Sequence, residues 1–335
     1  MRIIIPMAGM GKRMRPHTLT IPKPLIPVAG KPIVQHLVED LTELCDEKVE
    51  EIAFVTGRFG ADVERHLIDI AQQCGAQGKI YYQDEPLGTA HAIYCAADAL
   101  KGKVIVAFAD TLFRTKFSVP EQCDGVIWVK QIDDPRQFGV VTLNADGSIN
   151  DFVEKPQEPV SDLAIIGIYY FRSGETLKEE IEYLLNNNIK DKGEFQITNA
   201  LDNMKNKGKK FLPGKVDEWL DCGNKDATVY TNARILELKA DRLNSSKVSS
   251  LNNSVLIEPC YIGKNVRLEN TVVGPHVSLG NDVVIMNSVI QNSIIQDSSV
   301  IKNIYLQNSM LGKHVQLSGA EKDLSMGDYS TQNNA

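Results

Sequence analysis

Met7-Ala8-Gly9-Met10-Gly11-Lys12-Arg13-Met14-Arg15-Pro16 follows the apolar run Ile3-Ile4-Ile5 directly. A buried strand that runs into two spaced glycines can turn sharply and present its backbone N–H groups to an anion. Lys12 and Arg13 add charge at that turn, and an arginine fork matches phosphate oxygens. Gly-x-Gly alone is weak evidence and commonly marks only a tight turn. Met14 stands where a dinucleotide fingerprint needs its third glycine, and no Gly-Lys-Ser/Thr follows, so neither that fingerprint nor a Walker loop is present. The next segment, Pro22-Lys23-Pro24-Leu25-Ile26-Pro27-Val28-Ala29-Gly30-Lys31-Pro32, carries four prolines. They fix φ and remove donors, which makes a stiff loop and holds the Lys23 ammonium at a defined point.

Charge around this loop is uneven. Arg2, Lys12, Arg13, Arg15, Lys23 and Lys31 precede the first acid, Glu39, in a chain whose net charge is −7. Cations interleaved with glycine and proline suggest an anionic ligand near the N-terminus. The overall acidity argues against a general nucleic-acid binder. No apolar run approaches a membrane span, and the N-terminal run is too short for a signal peptide, so a cytoplasmic location is expected. Cys45, Cys74, Cys95, Cys123, Cys222 and Cys260 include no Cys-x-x-Cys pair and are read as reduced, packed thiols.

Up to about residue 240, apolar runs alternate with helical periodicity. Strands are expected at Ile3–Ile5, Glu51–Val55, Lys79–Tyr82, Val104–Ala109 and Val126–Val129. Helices are expected at Val34–Leu44, Ala61–Gln73, Thr89–Leu100, Glu175–Leu185 and Lys225–Leu243. This is the signature of an α/β fold with a mostly parallel, Rossmann-like sheet. Asn244-Ser245-Ser246-Lys247 then reads as a hinge. From Leu251 to Leu317 apolar residues recur about every six positions, with one slip between Leu268 and Val273, and only eight of the 67 residues are charged. Three such units close one coil of a parallel β-helix, here about three to four coils, with Gly319–Ala335 as a frayed polar tail. The expected division is therefore 1–243, a linker at 244–250, a hexapeptide β-helix at 251–317, and a tail at 318–335.

The run from Met7 to Pro32 resembles the signature of the sugar-1-phosphate nucleotidyltransferases, or nucleotide-sugar pyrophosphorylases, with Pro6, Met7 and Lys12 as departures. The resemblance extends over nearly the whole chain and is closest to glucose-1-phosphate thymidylyltransferases, with a left-handed β-helix appended. It implies nucleotide binding by Ala8, Gly9, Gly11, Lys12 and Arg13, with Arg13 and Lys23 catalytic. Gln83-Asp84-Glu85-Pro86-Leu87-Gly88-Thr89 resembles the base-recognition segment. There the Gln83 amide offers a donor and an acceptor to a uracil or thymine edge, and Gly88 and Thr89 open a helix; His91 is read as structural. Val104–Thr111 is a buried strand ending in Asp110, and Trp219-Leu220-Asp221-Cys222-Gly223 resembles a second aspartate motif. The two aspartates are the implied Mg²⁺ ligands. On the sugar-phosphate side the resemblance implies Gly139, Glu154, Lys155 and Ile165, while Gly193–Ala200, with Asn199 for the usual aspartate, is read as mainly structural.

The implied reaction transfers a nucleotidyl group from dTTP or UTP to a sugar-1-phosphate, glucose-1-phosphate favoured. Alternatives are a UTP-dependent enzyme acting on glucose- or N-acetylamino-sugar-1-phosphate, and a non-catalytic nucleotide-sugar-binding subunit. Neither a nucleic-acid nor a membrane partner is expected. The low-charge β-helix suggests a homo-oligomer; His276 and His314 are the only histidines there that could serve an acyltransferase.

Overall fold

The computed structural model describes residues 1–115, 119–158, 160–242, 250–319 and 324–332. They form two compact units, each drawn from separated stretches of chain: Met1–Gly9 with Leu37–Trp219, and Met10–His36 with Leu220–Ala335. The segment Met10–His36 thus groups with Leu220–Ala335 in the second unit. The hinge at 244–247 lies outside the described residues.

The first unit is built on a nine-stranded sheet. β1 (Arg2–Pro6), β2 (Glu51–Thr56), β3 (Gln77–Tyr82) and β4 (Val104–Ala107) run parallel in the order β4-β1-β2-β3. Ile3, Ile4, Ile5 and every residue of β2 and β4 are buried, as a parallel sheet covered on both faces requires. The remaining strands bring antiparallel pairs into the sheet. β5 (Gly125–Gln131), β6 (Gly139–Leu143), β7 (Ile149–Glu154), β8 (Leu163–Phe171) and β9 (Phe211–Lys215) complete it, with β8 antiparallel to β4, β5 and β6. β6 and β7 are joined by a short turn in which Gly147 donates to the Asn144 carbonyl at 3.0 Å, and so short a link permits only antiparallel pairing. Helices occupy Ala61–Gln73, Thr89–Cys95, Gly174–Asn186 and Ile197–Asn206. The third expected helix is shorter than its periodicity suggested: it stops at Cys95, and a 3-10 turn covers Ala97–Ala99. Phe152, Phe171 and Phe211 pack edge to face in the core at 5.7 and 6.4 Å.

In the second unit the repeat forms a parallel β-helix. Its first face stacks six strands: Ser250–Asn252, Arg267–Glu269, Val284–Met286, Val300–Lys302, Gln316–Ser318 and Thr331–Gln332. Partner residues step from Ser250 to Arg267, Val284, Val300, Gln316 and Thr331, so the coils shorten from 17 residues to 15 instead of holding three full hexapeptides. A residue is lost between the second and third faces, where the step from Val272 to Val277 becomes the step from Val289 to Ser293. At the corners after the first face, Asn253, Asn270, Asn287 and Asn303 take left-handed φ of 44°, 50°, 49° and 53°. Asparagine tolerates that conformation. Each amide donates to the next around 3 Å along the stack. The tail is not frayed where it is described. Ser325–Met326 pairs with Met310–Leu311, and Thr331–Gln332 with Gln316–Leu317. The open edge of the last full coil is a template for one more strand, whatever that strand's composition.

One helix, Lys225–Leu238, packs on the β-helix and on the loop; a 3-10 turn at Ala240–Arg242 follows it, and Leu243 lies outside the described residues. Its fully buried Asn232 accepts from the Ala29 amide at 2.9 Å and from Ser278 Oγ at 2.7 Å, joining all three parts of this unit.

Candidate active site

Parallel strands place their C-terminal ends on one edge of a sheet, where ligands bind. Ala8 and Gly9 leave that edge after β1, Gln83 after β3 and Asp110 after β4. Backbone bonds stitch these exits together: Met7 donates to Val55 at 2.8 Å, Gln83 to Thr56 at 2.9 Å and Ala109 to Pro6 at 3.4 Å.

Gln83 is held, not merely exposed. Its Nε2 donates to the Gly88 carbonyl at 3.2 Å and faces His91 Nδ1 at 3.1 Å. Burial lowers the His91 pKa, against the opposing charge of Glu85. The neutral ring can therefore accept at Nδ1. The donor half of the amide is spent inside the protein, and the carbonyl is the half left to meet a base N–H. His91, read from sequence as a packing residue, orients Gln83; only its spacing of eight residues from Gln83 hinted at this. Gly88 has φ 117°, and a Cβ there would stand 2.5 Å from the Phe195 carbonyl oxygen. The Thr89 hydroxyl is engaged internally, accepting from the Ile197 amide at 2.9 Å and donating to Gln196 Oε1 at 3.0 Å. A ligand would meet Thr89 through its backbone.

The sugar-phosphate candidates converge. A Cβ on Gly139 would lie 3.1 Å from Glu154 Oε2, 3.3 Å from Ile165 Cδ1 and 3.4 Å from Thr198 Cγ2. Lys155 Nζ is 3.4 Å from Glu154 Oε1, and Lys155 has a left-handed φ of 45°. Lys192 Nζ donates to the carbonyls of Glu154 and Lys155 at 3.2 and 3.0 Å, fixing that bend. Thr198 Oγ1 donates to Glu154 Oε2 at 3.4 Å. Neither Lys192 nor Thr198 was singled out from sequence, although Thr198 sits in the Gly193–Ala200 segment assigned a structural role. Phe138, whose carbonyl accepts from the Lys155 amide at 3.1 Å, meets Trp219 edge to face at 4.9 Å.

Within the second unit, Gly11, Lys12, Arg13, Lys23 and Asp221 are the expected site residues. Gly11 has φ 57°, and its Cβ position is 2.9 Å from Lys23 Cβ and 3.0 Å from Thr18 Cγ2. Lys12 and Arg13 are exposed, whereas Lys23 is 8% exposed in its own 3-10 turn. Asp221 ends the strand Glu218–Asp221. A Cβ on the buried Gly223 would fall 2.7 Å from Asp221 Oδ2 and 3.3 Å from Arg13 Nη2, so this glycine lets the carboxylate and the guanidinium share one small space. Among the described residues no group of three or more His, Cys, Asp or Glu side chains converges. Any ion at Asp110 or Asp221 would draw most of its ligands from phosphate and water, which is the habit of Mg²⁺.

Residues 2–237 match the family described as nucleotidyl transferase, and the chain belongs to that family. It is 30% identical over 249 residues to the low-salt glycan biosynthesis nucleotidyltransferase of Haloferax volcanii, covering 72% of this chain and 67% of the relative. It is 30% identical over 266 residues to the bifunctional protein GlmU of Methanococcus maripaludis, covering 77% of this chain and 60% of that protein. The chain thus spans about 60% of the length of the GlmU protein it matches. A crystal structure of a Bacillus anthracis protein provisionally named glucose-1-phosphate thymidylyltransferase, solved with sucrose, superposes with a TM-score of 0.60 at 25% identity, over 73% of this chain and 97% of that one. No helix among the described residues is long and apolar enough to cross a membrane.

Proposed function

We propose that this chain is a sugar-1-phosphate nucleotidyltransferase that takes dTTP or UTP, with glucose-1-phosphate as the favoured acceptor. The observation that carries the proposal is the common edge on which Ala8, Gly9, the oriented Gln83 amide and the Asp110 carboxylate emerge together. The free carbonyl of Gln83 suits the N3–H of thymine or uracil. Glu154, ringed by Gly139, Ile165 and Thr198, is the acceptor for sugar hydroxyls, and Lys155 anchors the sugar phosphate.

In the proposed reaction a phosphate oxygen of the sugar-1-phosphate attacks the α-phosphorus of the triphosphate. The new P–O bond forms as the bond to the β-phosphate oxygen breaks, and pyrophosphate leaves with that electron pair. The acceptor brings its own anionic oxygen, so no side-chain nucleophile is required. Alignment and charge neutralisation do the rest. Lys23 neutralises the α-phosphate, and Arg13, with Lys12, stabilises the departing pyrophosphate. Asp110 and Asp221 are the residues that would hold Mg²⁺, which supplies a Lewis acid for phosphate oxygens.

The second reading takes UTP with glucose- or N-acetylamino-sugar-1-phosphate. Presence of Arg13, Lys23, Asp110 and Asp221 together argues against a non-catalytic binding subunit. A pyrophosphate-release panel crossing five nucleoside triphosphates with several sugar-1-phosphates in Mg²⁺ tests all three. Release only with dTTP or UTP supports the proposal; release with no pair refutes it.

A further inference from the structure

The loop that carries Gly11, Lys12, Arg13 and Lys23 has little regular structure of its own. Three 3-10 turns, Lys12–Met14, His17–Leu19 and Lys23–Leu25, are separated by extended residues and prolines. The middle turn is gripped from the far end of the chain. Thr20 Oγ1 donates to Asp328 Oδ2 at 2.5 Å, and His17 Nε2 lies 2.8 Å from Ser325 Oγ. Asp328 Oδ1 accepts from the Lys313 amide at 2.7 Å, so the same carboxylate ties the loop to the preceding coil. Between these two contacts, a Cβ on Gly327 would stand 3.1 Å from Pro16 Cβ and 3.4 Å from its Cγ, which leaves the backbones in close apposition. His17 is 1% exposed, and burial pushes its pKa down to about 4 despite the opposing charge of Asp328. At neutral pH the ring is uncharged and its bond to Ser325 is a neutral one.

The gripped turn in its turn holds the residues assigned to phosphate. Thr18 Oγ1 donates to the Gly11 carbonyl at 2.9 Å. Its Cγ2 and Lys23 Cβ both crowd the bare α-carbon of Gly11. Thr18 stands between His17 and Thr20, so any slip of those two residues passes straight to Gly11 and Lys23.

We propose that the terminal β-helix coil, residues 324–332, positions the triphosphate loop, with Ser325 and Asp328 acting through His17 and Thr20. This rests on the nucleotidyl-transfer reading and gives the β-helix a task in that reaction separate from any role in subunit assembly. Ser325 and Asp328 are positioning residues; their effect is to order the loop before the triphosphate arrives, which lowers the cost of binding.

The test is the full-length double variant Thr20→Val/Ser325→Ala, which removes both side-chain bonds and keeps the volumes nearly constant. Loss of one neutral hydrogen bond and one bond to a carboxylate, only part of whose effect reaches Gly11 and Lys23, should raise KM for the triphosphate about fivefold to tenfold. KM for the sugar-1-phosphate and kcat should stay within about twofold, and Ser325→Thr, which keeps a hydroxyl, should retain the parental KM. A coil that is only structural would lower the melting temperature and leave the triphosphate KM unchanged, and that result overturns the proposal. Hydrogen exchange supplies a readout independent of activity: amides of residues 11–23 should exchange about fivefold faster in the double variant, with those of β2 unchanged. Should the parental protein release no pyrophosphate from any pair, the nucleotidyl-transfer reading fails on its own; unchanged exchange in residues 11–23 would separately overturn the grip.

Discussion

Gly139→Ala offers a clean separation of space from backbone. Gly139 opens β6 with φ outside the left-handed region, so the backbone accepts an L residue without strain. The added methyl would lie 3.1 Å from Glu154 Oε2, 3.3 Å from Ile165 Cδ1 and 3.4 Å from Thr198 Cγ2. Ile165 and Thr198 are 6% and 4% exposed and have little room to yield. Glu154, less deeply buried and ending β7, is the neighbour that gives way, by a few tenths of an ångström. Removing a glycine from a strand stabilises by about 0.4–1 kcal/mol through the unfolded chain, which offsets the tight contacts, so the melting temperature should barely change. Function should change more. A hydrogen bond to a charged group contributes about 1.5–3 kcal/mol, and misplacing the Glu154 carboxylate from a sugar hydroxyl therefore lowers kcat/KM for the sugar phosphate by about 10-fold to 150-fold. Pyrophosphate release at saturating triphosphate with varied sugar-1-phosphate measures this, and the triphosphate KM serves as the internal control. If kcat/KM for the sugar phosphate stays within twofold in Gly139→Ala and also in Glu154→Gln, the site assigned here does not bind the sugar.

Lys23→Ala and Asp110→Asn should each cut turnover by about 10²–10³, by analogy with loss of one preorganised charge contact, and turnover within threefold of the parent would refute their roles. His91→Ala frees the Gln83 amide to rotate; the preference between dTTP and dCTP should narrow several-fold in a competition assay while thermal stability holds, and an unchanged preference would remove His91 from base recognition. His17 couples stability to pH: its folded pKa of about 4 lies below the unfolded 6.5, so the unfolded chain binds more protons between those values. Stability is full above pH 6.5 and falls by up to about 3 kcal/mol as pH drops towards 4, so urea melts from pH 7 to 4.5 should show a slope that His17→Gln flattens. Val272→Glu/Val289→Glu puts charge on the β-helix strands Val272–Val273 and Val289–Gln291, and a solution mass unchanged from the parent would exclude that face as a subunit interface.

The legible parts of this fold were those written in local periodicity. Ile3–Ile5, Ile52–Val55 and Val104–Ala107 are apolar without interruption because both faces of their strands are covered, and each strand appears within a residue or two of its expected place. The antiparallel half was harder. Leu163–Phe171 is nine nearly unbroken apolar residues, but its direction depends on partners more than 50 residues away in β4. The β-helix was legible in kind and not in number. The place where a coil loses a residue is not announced in the apolar spacing, and the described residues beyond Gly319 join the stack through backbone ladders that no side-chain pattern encodes. Gly139, Glu154 and Ile165, which the structure brings together, were singled out by motif. Thr198, Lys192 and His91 were not, because each acts by holding a recognised residue rather than by carrying a signature of its own.

The same logic explains why the segment Met10–His36 belongs to the β-helix unit. A loop with four prolines between residues 22 and 32 is stiff locally, yet stiffness sets φ and does not choose a position in space. Position has to come from contacts outside the loop. Here they are Asn232 on the Ala29 amide, the Thr228 hydroxyl 3.6 Å from Met14 Sδ, Tyr261 against Gly30, and the terminal coil on His17 and Thr20. These anchors come from the Lys225–Leu238 helix and from the first and last described coils, so they span the length of the stack. A repeat that buries its own core leaves its outer face free to serve as such a frame. Substitutions at that face should therefore register in triphosphate binding before they register in global stability.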